Sequence, residues 1–266
     1  MMKSITFNCL ILYCLFFAGS CIVKDKPINI EPNSIFQYST LSALLEGIYD
    51  GEMTIGELKK HGNFGIGTFN ALDGEMVLYN GHCYKVTSDS KVLEVSDSNK
   101  TPFATVCKFE PDTVIRIDRS LNLSELKHYI DSILPSTNLL YACQISGSFD
   151  SIVIRSVPKQ QKPYKRLIEA YKAQGIYTFT HQEGNLFGYK FPVYLKDVNM
   201  DDFHLHFLST DKTKGGHLMN CKFSKGTVSV AFIRNYHLQL PDNLYFNTTS
   251  FTNKKSELLK IEGGQN

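Results

Sequence analysis

The hydrophobic and polar positions of this chain change period several times, and each change predicts an element. Ser39 to Glu46 (STLSALLE) groups its leucines at helical spacing and stops at Gly47. Thr54 and Glu57 have the spacing of a capping box and open a second short helix that ends near His61-Gly62. From there the period shortens to two. Apolar runs at Phe64 to Phe69 and Glu75 to Tyr79 flank Asn70-Ala71-Leu72-Asp73-Gly74, a hairpin signal, and Asn80-Gly81 leads into another strand at Cys83 to Val86. Further strands are expected over Phe103 to Phe109 and Thr113 to Ile117.

Helical spacing returns at Leu121 to Leu134, with apolar residues at 123, 126, 130 and 133. A β stretch from Leu140 to Val157, broken by Gly147, precedes a helix expected from Lys162-Pro163-Tyr164 to about Gln174, which Gly175 stops. Strands follow at Tyr177 to His181, Leu186 to Tyr194, Phe203 to Leu208, His217 to Phe223 and Val228 to Leu240, with a closing helix over Asn253 to Lys260. The pattern predicts an α+β, strand-rich, two-part chain with mixed or antiparallel sheets and a few short helices, not a βαβ alternation. A boundary near residues 158–165 is expected to divide an N-terminal α+β domain (35–160) from a C-terminal strand-rich domain (161–266) that carries a group of histidines.

The first residues follow another logic. Lys3 supplies a short positive region, and Ile5 to Gly19 is almost wholly apolar. A run of about 15 residues is short for a membrane span and suits a secretory signal. It ends in Ala18-Gly19-Ser20-Cys21, which resembles a bacterial lipobox with Cys21 as the lipidated residue, although Ala18 replaces a larger aliphatic residue. The reading is a signal peptide over 1–20, a tether over 21–34, and an exported protein, either secreted, periplasmic or held at a membrane through Cys21.

Composition narrows the function. An apolar content of 42% excludes a disordered chain, and a formal charge of +2 without a long basic run argues against nucleic acid as a partner. Of the seven cysteines, only Cys83, Cys107, Cys143 and Cys221 fall in the expected body. They form no CxxC pair, which argues against a thiolate zinc site, and each lies in an apolar run, where a buried free thiol is expected.

The sharpest chemical signal is Phe203-His204-Leu205-His206-Phe207, followed by His217. On a strand, residues two apart share a face, so His204 and His206 project together while Phe203, Leu205 and Phe207 face the core. Asp211-Lys212-Thr213-Lys214-Gly215-Gly216 reads as a hairpin loop that returns His217 to the pair. Three converging imidazoles leave a coordination position open, the pattern of a catalytic zinc site, although copper, nickel or iron also accept such ligands. The plain alternative is three strand histidines that merely alternate with core residues. Glu75, directly after the Asp73-Gly74 turn, is a candidate acid/base group, with an exposed strand-end glutamate as the alternative. Arg155 is the only charge in the apolar run Ser151 to Val157, so it needs a partner, either a structural carboxylate or a bound anion.

Three stretches, STLSALLEGIYDGEMTIGELKKHGNFGIGTFNALDGEMV, RSVPKQQKPY and FHLHFLSTDKTKGGH, resemble the α-acetolactate decarboxylase family in sequence and order, over essentially the whole chain from about Ile35. The resemblance implies zinc held by His204, His206 and His217, with Glu75, Arg155 and a C-terminal glutamate completing the site and Thr68 lining it. Glu262 stands nearest the family position, and Glu257 is its competitor. The implied reaction is decarboxylation of (S)-2-acetolactate to (R)-acetoin and CO2 through a zinc-stabilised enediolate. A homodimer is also implied. Two other classes compete. One is a cupin-like metal-dependent oxygenase or isomerase, but cupins add a glutamate three or four residues after the second histidine, where this chain has Ser209, Thr210 and Asp211. The other is a non-catalytic surface binding protein on the same fold. The N-terminal reading has its own test: cells fed radiolabelled palmitate are expected to label the native protein and not Cys21→Ala, and equal labelling would sink the lipid anchor.

Overall fold

The computed structural model describes residues 32–251. The signal segment, Cys21, the tether up to residue 31, the closing helix, Glu257 and Glu262 lie outside the described residues. In chain order the strands are β1 (Ser34–Tyr38), β2 (Phe64–Thr68), β3 (Glu75–Tyr79), β4 (His82–Val86), β5 (Val92–Glu94), β6 (Ala104–Cys107), β7 (Thr113–Ile117), β8 (Leu121–Asn122), β9 (Leu140–Ser156), β10 (Gly175–Phe191), β11 (Asp202–Ser209), β12 (Gly215–Ile233) and β13 (Asn235–Gln239). The helices are α1 (Leu41–Leu45), α2 (Ile55–Leu58), α3 (Leu123–Ile133), α4 (Leu167–Ala170) and α5 (Leu244–Thr248).

Local chemistry sets the helix starts. Thr40 accepts from the Ala43 amide at the head of α1, and Thr54 with Glu57 forms the reciprocal capping box expected for α2. Asn122 and Glu125 form a second capping box, so α3 begins at Leu123 and leaves Leu121 extended in β8. The helix expected from Lys162 starts later. Arg166 is still extended and caps α4, leaving one short helical turn before Tyr171.

Two sheets form the body. The first is mixed, in the order β13-β1-β6-β2-β3-β4-β5, with a parallel β1–β13 pair beside antiparallel neighbours. The second is antiparallel, in the order β11-β10-β9-β12-β7. β11 also pairs with the start of β12 from His206↔His217 to Leu208↔Gly215, which closes β9 to β12 on themselves. This is the strand-rich α+β architecture that the periodicity predicts. Both sheets cross the expected boundary at 158–165: β7, β8 and β9 pair into the second sheet, while β13 returns to the first. The sheets thus group strands by pairing and not by their order along the chain.

One apolar cluster lies within the closed strands and includes Leu205, Phe207, Phe149 and Phe223. A second joins the sheets through Phe64, Ile66, Val77, Phe187 and Tyr189. α2 covers the outer face of the first sheet, and α1 with α4 forms a small apolar group around Leu44, Phe103 and Leu167. The four body cysteines are buried and free, and burial pushes the Cys143 thiol up to about 12.

The breaks expected inside the long β stretches are absent. β9, β10 and β12 run unbroken through Gly147, Gly184 and Gly226, which lie opposite one another across three strands. A side chain on Gly147 would sit 2.2 Å from the Lys225 carbonyl oxygen and 2.8 Å from the Gly226 Cα. The glycines therefore mark a place where neighbouring backbones approach closely, not turns. Gly147→Ala is expected to cost about 1–3 kcal/mol of stability, read as a lower urea midpoint; an unchanged midpoint would refute the steric argument.

Candidate metal centre

The closed second sheet brings the three histidines together. His204 and His206 lie two apart on β11, and Leu205 and Phe207 point into the apolar cluster, as the alternation predicts. His217 follows the hairpin loop on β12, directly opposite His206. All three are buried, and one ligand nitrogen from each lies within 4.8 Å of the others. The ring centroids are 5.1 to 5.3 Å apart.

His206 shows how the nitrogens are assigned. Its Nδ1 lies 2.9 Å from the Met76 carbonyl oxygen, which can only accept, so Nδ1 carries the proton and donates. The other nitrogen, Nε2, is buried with no hydrogen-bond partner among the described residues. Glu75 Oε2, 3.6 Å away, is beyond hydrogen-bond reach. Burial holds the His206 pKa down at about 4, with Arg155 adding to the effect, and it pushes His204 and His217 well below the usual imidazole range. Three neutral rings with converging lone pairs, one of them an orphaned buried nitrogen, fit a metal ion.

The first sheet supplies the carboxylate. Thr68 ends β2 and Glu75 begins β3, facing each other across the turn. Thr68 Oγ1 donates to the Gly74 carbonyl at 2.7 Å, which holds the turn closed. Thr101 Oγ1 in turn donates to the Thr68 carbonyl at 2.7 Å. Glu75 is not the exposed strand-end residue of the plain alternative, being only 9% accessible. Burial raises its pKa to about 7, and the positive charge of Arg155 opposes the rise. At neutral pH Glu75 is therefore poised to hold or release a proton.

Arg155, on β9, sits opposite His217 and is 2% accessible. Its guanidinium lies over the Tyr171 ring, with Cζ 4.4 Å from the centroid. The cavity between the sheets and helices is lined by the histidines, Glu75, Thr68 and an apolar roof that includes Leu41 and Leu44 from α1, Leu167 from α4, and Met200. Met200 is held by a buried amide: Asn199 accepts from the Met200 amide at 2.8 Å and donates to Gln37 at 2.7 Å. The structure thus assembles His204, His206, His217, Glu75 and Thr68 around one cavity, with Arg155 beside it opposite His217, while Glu262 lies outside the described residues. Sequence reasoning missed Tyr171, Met200 and the Met76 carbonyl. No spacing rule marks a roof residue or a backbone acceptor. Asp211, the nearest stand-in for a cupin carboxylate, is tied instead into the hairpin loop by Ser209 at 2.6 Å and Thr213 at 2.8 Å.

The arrangement defines a strand-built enzyme site with three imidazoles able to hold a metal ion beside a carboxylic acid and a buried arginine. A sequence model of the α-acetolactate decarboxylase family matches residues 35–253, and the chain belongs to that family. The α-acetolactate decarboxylase of Methanosarcina mazei is 40% identical over 88% of this chain and 82% of its own. That of Bacillus subtilis strain 168 is 36% identical over 86% of this chain and 89% of its own. A crystal structure of α-acetolactate decarboxylase from Bacillus subtilis strain 168 covers 87% of this chain and all of its own, with a TM-score of 0.84 and 34% identity. A Staphylococcus aureus protein described as similar to the same enzyme superposes with a TM-score of 0.82 at 27% identity, covering 88% of this chain.

His217→Ala removes one of the three converging imidazoles and is expected to leave the dialysed protein with little metal by elemental analysis, at unchanged circular dichroism. Wild-type metal content in that variant would exclude His217 as a ligand.

Proposed function

We propose that this chain is a zinc-dependent enzyme that decarboxylates (S)-2-acetolactate to (R)-acetoin and CO2. The observation that carries the proposal is the convergence of three neutral imidazoles and Glu75 in one cavity with an apolar roof, with Arg155 buried opposite His217 and against the cavity residue Tyr171, in a chain of this family. His204, His206 and His217 would hold the zinc, which would supply Lewis-acid stabilisation of the negative charge that develops on the substrate.

The remaining work falls to the side chains. The bond from the central carbon to the carboxylate breaks, and its electron pair moves through that carbon onto the ketone oxygen, giving an enediolate and CO2. The apolar roof keeps water from this charge, which strengthens every dipole aimed at it. Arg155 meets the developing oxyanion. Clamping the departing carboxylate would instead stabilise the starting state and slow the loss of CO2. Protonated Glu75 then delivers its proton to one face of the carbon that lost CO2, and the face fixes the handedness of the product. Thr68 keeps Glu75 in place by closing the turn before it. Glu262, or Glu257 in its stead, is the proposed second carboxylate. The N-terminal sequence extends the proposal to an exported enzyme, tethered if Cys21 carries lipid.

Purified protein is expected to make acetoin from acetolactate, to lose activity on chelation and to regain it with zinc. Bound metal without acetoin would remove the decarboxylase reading, and acetoin without metal would remove the mechanism. Arg155→Lys keeps the charge and loses the planar fork, so kcat is expected to fall about a hundredfold. A change confined to KM would show that Arg155 only binds substrate.

A further inference from the structure

Tyr171 stands in the metal cavity, and the chemistry above does not use it. It begins the turn that follows α4 and packs, partly buried, against the apolar roof. The Arg155 guanidinium lies over its ring face at 4.4 Å, well inside the ~6 Å over which a ring quadrupole attracts a cation. Arg155 is buried, so little water weakens that attraction.

The ring and the guanidinium come from different parts of the fold. Arg155 is on β9, whereas Tyr171 is held by the segment that carries α4. That segment is fixed to the loop after α1: Arg166 Nε donates to Glu46 at 3.0 Å, and the Tyr164 hydroxyl donates to Asp50 at 2.9 Å. An arginine side chain has many rotamers, and a flat ring over its plane selects among them. The same ring is a wall of the cavity, and Arg155 lies opposite His217 and acts electrostatically on all three histidines, so the guanidinium under the ring stands beside the site.

We propose that Tyr171 is a positioning residue for the reaction: its ring face holds the Arg155 guanidinium at the angle from which it meets the charge developing on the substrate. This rests on the role given to Arg155 above.

The test separates the electronics of the ring from its shape. Tyr171→Phe serves as the reference, and phenylalanines carrying one, two and three fluorines are then placed at position 171. Fluorination nearly preserves shape and progressively removes negative charge from the ring face. kcat is expected to fall stepwise, by about tenfold across the series. KM is expected to stay within about twofold, with Tm and metal content unchanged. Tyr171→Leu is expected to lose at least as much kcat. A kcat that is flat across the fluorinated series would overturn the proposal, because a purely structural ring is indifferent to fluorine at constant shape. A second reading does not depend on turnover. The Arg155 side-chain N–H signal in nitrogen-15 spectra is expected to carry a ring-current shift in the reference protein and to lose it in Tyr171→Leu. Absence of that shift from the reference would also overturn the proposal. If the wild-type protein makes no acetoin, the decarboxylase reading fails separately, and the spectra still test the contact.

Discussion

The hydrogen bond from His206 Nδ1 to the Met76 carbonyl joins the two sheets at the point where chemistry is required. Met76 follows Glu75 on β3, and His206 lies on β11, so one contact fixes the separation of carboxylate and imidazole. It also fixes the tautomer, because a carbonyl accepts and does not donate. If the two sheets slid by one residue, the carbonyl would point elsewhere and Nε2 would no longer face the other imidazoles. The inter-sheet packing of Phe64, Val77, Phe187 and Tyr189 keeps that register. The apolar core therefore bears on the site directly, since it decides which nitrogen is free.

Burial acts on every ionisable group in the cavity, with opposite results for acids and bases. It raises Glu75 toward neutrality of charge and drives the imidazoles the same way by lowering their pKa values. One apolar enclosure thus produces a carboxyl group poised to titrate near neutral pH and three uncharged imidazoles. Arg155 is the fixed counterweight. Its charge restrains the rise at Glu75 and disfavours protonation of all three histidines. The same charge therefore favours the carboxylate of Glu75, against the effect of burial, and the neutral form of the imidazoles, with it.

Much of this was legible in the sequence, and particular residues show why the rest was not. The alternation of His204 and His206 with Phe203, Leu205 and Phe207 states which face carries the imidazoles and which packs into the apolar cluster, and the structure obeys it. The capping pair Thr54 and Glu57 was equally plain. Gly147 misled because a glycine that ends a strand and a glycine that lets two strands approach look alike in one dimension. Strand β1, at Ser34–Tyr38, is buried along its whole length and shows no alternation to read. The division near residues 158–165 rested on chain order, and strand pairing ignores chain order. Tyr171 and Met200 reach the cavity only through tertiary packing, so no local pattern announces them. The reaction itself came from family resemblance; spacing alone supported a metal.

The parallel pairing of β1 with β13 sets Ser34 beside Asn235. Such a contact closes a loop almost as long as the described chain and is among the costliest to form in a searching polypeptide. The same sheet carries the Met76 carbonyl that orients His206. An unfinished chain could therefore own all three histidines and still lack the arrangement that grips an ion. The three histidines are thus close in the chain, but the geometry that would let them share an ion depends on strands drawn from both ends of the described residues.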